Sequence, residues 1–145
     1  MSADAAREFV DANILVYAFD TSAGPKHAAA RALLERLWRD EAGSLSVQVL
    51  QEFFVTVTKK VPHPLSADAA AAHVRAFSAW AVFSPTADDV LSAITLQQRA
   101  KISFWDAMIV VAASESGCGV LWTEDLTHDQ QLLHVRVRNP FLSER

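Results

Sequence analysis

Asp11 stands inside "FVDANILVYAFD", residues 9–20, a stretch that is otherwise almost wholly apolar. A carboxylate drawn out of water is costly even after the surroundings relax, so something must compensate it. Three more acids sit beside apolar runs: Glu52 in "QVLQEFFVTVTKK", Asp106 in "ISFWDAMIVVAA" and Asp125 in "LWTEDLTHDQ". Carboxylates brought close together do not all stay ionised unaided. Protons or bases would serve, but no base adjoins these acids in the chain, and Lys101 lies five residues before Asp106. A hard divalent cation is the more economical answer, and an all-oxygen ligand set suits Mg²⁺ or Mn²⁺. His27, His63, His73, His128 and His134 are scattered and Cys118 is alone, so no zinc spacing is present. An acid-lined site of this kind suits phosphodiester hydrolysis. One ion acidifies a water and another stabilises the leaving oxygen, ideally ~3.5–4 Å apart.

The elements that must carry these acids alternate between strand and helix. "EFVD" reads as a short strand ending at Asp11, and "NILVYAFD" turns directly into a helix. Gly24-Pro25 opens a second helix, since Pro suits a first helical position, with Ala29, Leu33 and Leu37 on one face. "GSLS" is a very short strand. "VQVLQEFFVTVTKKV" is rich in β-branched residues, but its length and the spacing of Val49, Phe53 and Val57 favour a helix. Ser66 caps "ADAAAAHVRAFSAW", "AVFS" is a strand, and Thr86 with Asp89 opens "ADDVLSAITLQQRA" as a capping box. Ser103 and Asp106 repeat that spacing ahead of a helix that stops at Gly117 and Gly119. "VLWT" is a buried strand, "EDLTHDQQLL" a loop and "HVRVRN" an edge strand.

Strands alternating with helices imply an α/β fold whose parallel sheet is covered on both faces. In such sheets strand carboxyl ends and helix amino ends share one edge, where ligands bind. Asp11 and Asp125 follow strands, and Asp106 lies in the first turn of its helix. Glu52, about six residues into its helix and so ~9 Å along it, leans back toward the same edge. All four acids are therefore expected to meet.

The 145 residues fit one domain, 1–145, with 51% hydrophobic and 21% charged residues. The single cysteine rules out a disulfide framework and fits a reducing cytoplasm. "MSADAAREFV" lacks the pattern of a secretory leader, and no apolar run reaches the ~18 residues of a membrane span. A net charge of −4 argues against holding nucleic acid by bulk positive charge, yet acids gathered at one site account for that imbalance without excluding a nuclease.

Taken together, "FVDANILVYAFD", "QVLQEFFVTVTKK", "ISFWDAMIVVAA" and "LWTEDLTHDQ" resemble the PIN-domain ribonucleases, specifically the toxin half of VapBC-type toxin–antitoxin pairs. The resemblance runs from Phe9 to the closing "VRVRNPF". It implies a three-layer α/β/α sandwich around a central, mainly parallel sheet. It also implies a Mg²⁺- or Mn²⁺-dependent endoribonuclease that leaves a 5′-phosphate and a 3′-hydroxyl. Such proteins are often homodimers and are held inactive by a cognate antitoxin. The family's metal-binding acids fall on Asp11, Glu52, Asp106 and Asp125. Asn13 matches the Asn beside the first acid, and Thr123 the hydroxyl residue that orders the fourth. One departure is Asp129, where related sequences often carry Gly; it is either a fifth, outer acid or a loop residue, which leaves the choice of one or two metals open.

Blander roles compete for the same residues. Asp11 and Asp106 suit helix caps, Glu52 a solvated helix face and Asp125 a turn, while Glu124 reads as solvated. Of the tryptophans, Trp105 is the best placed to stack on a base because it adjoins Asp106. Lys59, Lys60, Lys101, Arg136 and Arg138 serve either helix dipoles or RNA phosphates. His128 is a candidate proton donor. Two other classes stand against the ribonuclease. One is a non-catalytic module whose acids bind a metal or a partner's arginines. The other is a phosphatase with a nucleophilic Asp, disfavoured because Asn13 interrupts the usual Asp-x-Asp.

Overall fold

A computed structural model describes residues 6–142; the leader reading of residues 1–5 lies outside them. Among the described residues, strands are interleaved with pairs of α-helices. They are β1 (Glu8–Val10), α1 (Ala12–Phe19), α2 (Pro25–Asp40), β2 (Gly43–Ser46), α3 (Val47–Lys59), α4 (Ala67–Phe77), β3 (Ala81–Phe83), α5 (Ala87–Ala100), α6 (Phe104–Glu115), β4 (Val120–Trp122), β5 (Gln131–Leu132) and β6 (Val135–Arg138). One 3-10 turn, Thr21–Ala23, joins α1 to α2. The sheet order is β3-β2-β1-β4-β6-β5, parallel throughout except for the β5–β6 pair. Helices flank this sheet in the α/β/α arrangement expected from the sequence: α1 packs on α2 and α3, α3 on α4, and α5 on α6, which rests on the sheet.

Local chemistry sets the boundaries. Asp11, Ser46, Ser66, Thr86 and Ser103 each accept a backbone N–H at a helix start, and Thr86 with Asp89 closes a full capping box. Pro25 opens α2 after Gly24, whose φ of 60° suits a residue without Cβ. The α3 helix wins over its β-branched content because Val49, Phe53 and Val57 fall on one face and are fully buried. In α6 the run Ala107 to Ala113 is buried all round, as expected of a helix enclosed between the sheet and α5.

Three details differ from the sequence reading. The buried face of α2 uses Ala30 with Leu33, Leu34 and Leu37, so Ala29 is only half-buried. The helix begun at Ala67 ends at Phe77, before Trp80. Most notably, β6 is not the edge strand: it pairs with β4 on one side and with the two-residue β5 on the other. The connecting residues Leu133 and His134 both have positive φ, 49° and 67°. That is the backbone of a tight two-residue hairpin turn, which usually advertises itself as Asn-Gly. With Leu-His in its place the turn leaves no trace in the sequence.

The start of β2 is tightly packed. A Cβ added at Gly43 would lie 2.5–2.6 Å from ring carbons of the buried Trp80. Trp80 is itself braced by Trp38 and Phe77. Gly43→Ala is therefore expected to lower stability by about 1–3 kcal/mol, the usual cost of overpacking. A urea unfolding midpoint equal to that of the parent chain would contradict this packing.

Candidate metal centre

The site begins where β1 and β4 end. Pairing of Val10 with Trp122 sets Asp11 beside Thr123, one residue beyond each strand. The Asp11 N–H still bonds the Trp122 carbonyl at 3.0 Å, so its position follows from sheet register. This is the point where the chain crosses from one side of β1 to the other, the usual location of ligand sites in such sheets. Asp11 is 5% exposed. One carboxylate oxygen accepts from Ala12 N–H at 2.7 Å, and the other accepts from the Thr123 hydroxyl at 2.9 Å.

Asp125 arrives from the loop after β4. Its N–H donates to Thr123 Oγ1 at 3.1 Å, and its carboxylate accepts from Asn13 Nδ2 at 2.9 Å. Asn13 Nδ2 also lies 3.2 Å from Thr123 Oγ1 and 3.4 Å from Asp11 Oδ2. Asn13 and Thr123 thus tie the first and last acids into one unit. Asn13 Oδ1 is buried with no hydrogen-bond partner among the described residues.

Asp106 sits in the first turn of α6. Ser103 Oγ accepts the Asp106 N–H at 3.0 Å, but the reciprocal arm that Asp89 supplies to Thr86 is not made here. The Asp106 carboxylate thus closes no full capping box, although the Ser103 side chain still opposes the rise in its pKa. Oxygens of Asp11, Asp106 and Asp125 lie within 4.8 Å of one another. An all-carboxylate set at that spacing fits a hard divalent cation.

Glu52 falls outside this set of three. It lies on the same pocket wall as Asp11 and Asp125 and takes a hydrogen bond from Gln48 Nε2 at 3.2 Å. Gln48 also donates to the Trp105 carbonyl at 3.3 Å, linking α3 to the start of α6. Asp129 is placed elsewhere. It has a φ of 68° and is exposed, with its carboxylate 3.4 Å from His128 Nε2 and 3.6 Å from Arg138 Nε. His128 Nδ1 accepts from Asn139 N–H at 2.9 Å, so this ring fastens the loop to the end of β6. Trp105 is 62% exposed beside Asp106, whereas Trp38 and Trp80 pack in an aromatic cluster and Trp122 Nε1 donates to Glu8.

Glu124 is not simply solvated. Tyr17 Oη donates to it at 2.6 Å and Lys26 pairs with it at 2.9 Å, which fixes the residue before Asp125 to α1 and α2. These partners lie about a hundred positions away in the chain, and nothing local marks them. The Gln48–Glu52 bond, by contrast, follows the i,i+4 spacing of a helix and was open to detection.

The electrostatics agree with the geometry. Burial pushes the Asp11 carboxyl up to about 7; the Thr123 hydroxyl and Ala12 N–H oppose the rise, while Asp125 and Glu52 add to it. Burial likewise raises Glu52 and Asp106, with neighbouring acids contributing to both. Each group has a folded pKa above its unfolded value near 4. Between pH 5 and 7 the metal-free fold therefore holds more protons than the unfolded chain, and it loses stability as pH rises. Thermal melts in EDTA should show a falling midpoint across that window, and Mn²⁺ should reverse the trend. A midpoint in EDTA that climbed from pH 5 to 7 would contradict the shifts.

A comparison with protein families finds the PIN domain over residues 9–131. The chain belongs to the PIN domain family. A comparison with curated proteins found no match. Solved structures similar to this PIN domain include a toxin–antitoxin complex from Klebsiella pneumoniae, at 21% identity and TM-score 0.62, covering 81% of this chain and 88% of that one. Another is VapC20 of Mycobacterium tuberculosis, described as a sarcin–ricin loop cleaving toxin, at 24% identity and TM-score 0.60, covering 78% and 85%. A third is VapBC2 of Rickettsia felis bound to a DNA fragment from its promoter, at 17% identity and TM-score 0.65, covering 91% and 97%. At these identities the likeness is one of fold. No helix among the described residues is long and apolar enough to cross a membrane.

Proposed function

We propose that this PIN domain is a Mg²⁺- or Mn²⁺-dependent endoribonuclease and the toxin of a toxin–antitoxin pair, acting in the cytoplasm. The observation that carries the reading is the convergence of Asp11, Asp106 and Asp125 at the switch point of a PIN fold. The toxin role is supported by the kinds of protein whose folds are similar, among them a sarcin–ricin loop cleaving toxin and a toxin–antitoxin complex. A homodimer is supported by apolar side chains left exposed on α5, namely Val90, Leu91 and Ile94.

In this reading Asp11, Asp106 and Asp125 hold the cation. When bound, the ion neutralises phosphate charge and acidifies water. Asn13 and Thr123 keep Asp11 and Asp125 aimed at one point. Glu52, steadied by Gln48 and lining the same pocket as Asp11 and Asp125, takes a proton from the attacking water. In-line displacement then needs no covalent link to the enzyme.

The test feeds single-stranded RNA to the purified chain with Mn²⁺, with Mg²⁺ and with EDTA. Cleavage leaving 5′-phosphates, abolished by EDTA and restored by excess metal, is the expected result. Cleavage undiminished in EDTA overturns the metal mechanism. A chain that binds Mn²⁺ but cuts no RNA is an interaction module instead.

A further inference from the structure

The acid cluster lies at the junction of two concave arms, and Asp125 is the wall they share. The first arm, about 650 Å³, runs between α1 and α3 and carries Tyr17, Gln51, Val55 and Lys60. The second, about 520 Å³, runs along the gap between α5 and the loop after β4, with Lys101, Thr127 and Gln130. Each arm is of a size that admits a small ligand or one unit of a polymer.

Each arm contains one lysine. Lys60 ends the first arm and Lys101 lines the second, both exposed. Neither makes an ion pair among the described residues, although carboxylates stand in the same arms, whereas Lys26 is committed to Glu124. Two unpaired cations thus bracket a centre that is itself negative. That sequence of charges complements a polyanion only if its central phosphate is neutralised by a metal and its outer phosphates reach the lysines.

The arms differ in chemistry. The first has apolar walls from Val16, Val55 and Val61, with Tyr17 beside them. The second presents mainly polar atoms to the cavity. A base needs an apolar face against it, while a sugar-phosphate backbone needs donors and charge.

From this we infer that a single-stranded RNA crosses both arms with the cleaved phosphate at their junction, a flanking phosphate on each of Lys60 and Lys101, and one base seated in the α1/α3 arm. The inference rests on the ribonuclease reading above and adds the register of the strand and the side on which bases are discriminated. The second arm grips backbone only, so sequence preference is confined to one side of the cut bond.

The experiment measures cleavage in Mn²⁺ of oligoribonucleotides randomised on both sides of the cut, across graded salt, for the parent chain, Lys60→Gln, Lys101→Gln, Val55→Ser and, as a control, Lys59→Gln. Lys59 neighbours Lys60 but lines neither arm. The lysine variants in the arms should each raise KM several-fold and reduce the slope of log(kcat/KM) against log[salt] by roughly 0.7, the share of one phosphate contact on a single strand. Lys59→Gln should leave both unchanged. Base preference should appear on one side of the cut and weaken in Val55→Ser. Parent cleavage with KM and salt slope indifferent to Lys60 and Lys101, or with equal preference on both sides, overturns this inference alone. A parent chain that cuts no RNA overturns the ribonuclease reading and this one with it.

Discussion

Asp106→Asn is expected to lower RNA cleavage by at least about 100-fold while the fold survives. Loss of a group that only orients a metal ligand already costs ~10–100-fold, and a ligand itself should cost no less. The substitution keeps the size of the side chain and removes its charge. It spares the backbone bond at the helix start, which runs from the Asp106 N–H to Ser103 Oγ, although the Ser103 side chain loses the charged carboxylate it also interacts with. It also removes a repulsion, since Asp125 helps to raise the Asp106 pKa. The metal-free melting midpoint should therefore hold or rise as activity falls. Mn²⁺ titration by calorimetry should show weakened binding in the same variant. Full activity, or unchanged Mn²⁺ affinity, would remove Asp106 from the centre.

The largest stability effect is expected at Phe53. Its ring is fully buried and makes edge contacts with Phe19, centroids 5.7 Å apart, and Phe77, 6.3 Å apart. With Val49 and Val57 it fastens α3 to the core, and the next residue back along the same helix is Glu52. Phe53→Ala should cost about 3–5 kcal/mol, from lost burial together with the cavity left behind. Against a total of roughly 5–15 kcal/mol for a domain, that is a large share. Urea unfolding reads it directly, and Phe53→Leu should recover much of the loss. Because α3 carries Glu52, cleavage by the Ala variant should also fall off at temperatures where the parent chain remains active. A midpoint within experimental scatter of the parent would show that α3 is held by something other than this face.

Most of the architecture was legible because each boundary has a local cause. Pro25, the caps at Ser66, Thr86 and Ser103, and the buried face Val49-Phe53-Val57 act over three or four residues, the range over which a sequence is read. The β5–β6 hairpin was not legible. Its turn uses Leu133 and His134 at positive φ, a conformation these residues adopt only when surrounding structure enforces it.

The candidate site divides in the same way. The order and identity of the acids follow from the chain, and strand–helix alternation alone brings Asp11, Asp106 and Asp125 to one edge. Three facts were settled only in three dimensions: Glu52 stands outside the tight set, Asp129 turns away to His128 and Arg138, and Glu124 is bound by Tyr17 and Lys26. The reason is physical. Backbone hydrogen bonding and apolar periodicity act between near neighbours and are written locally, whereas the direction of a charged side chain is decided by partners that the chain brings close only when it folds.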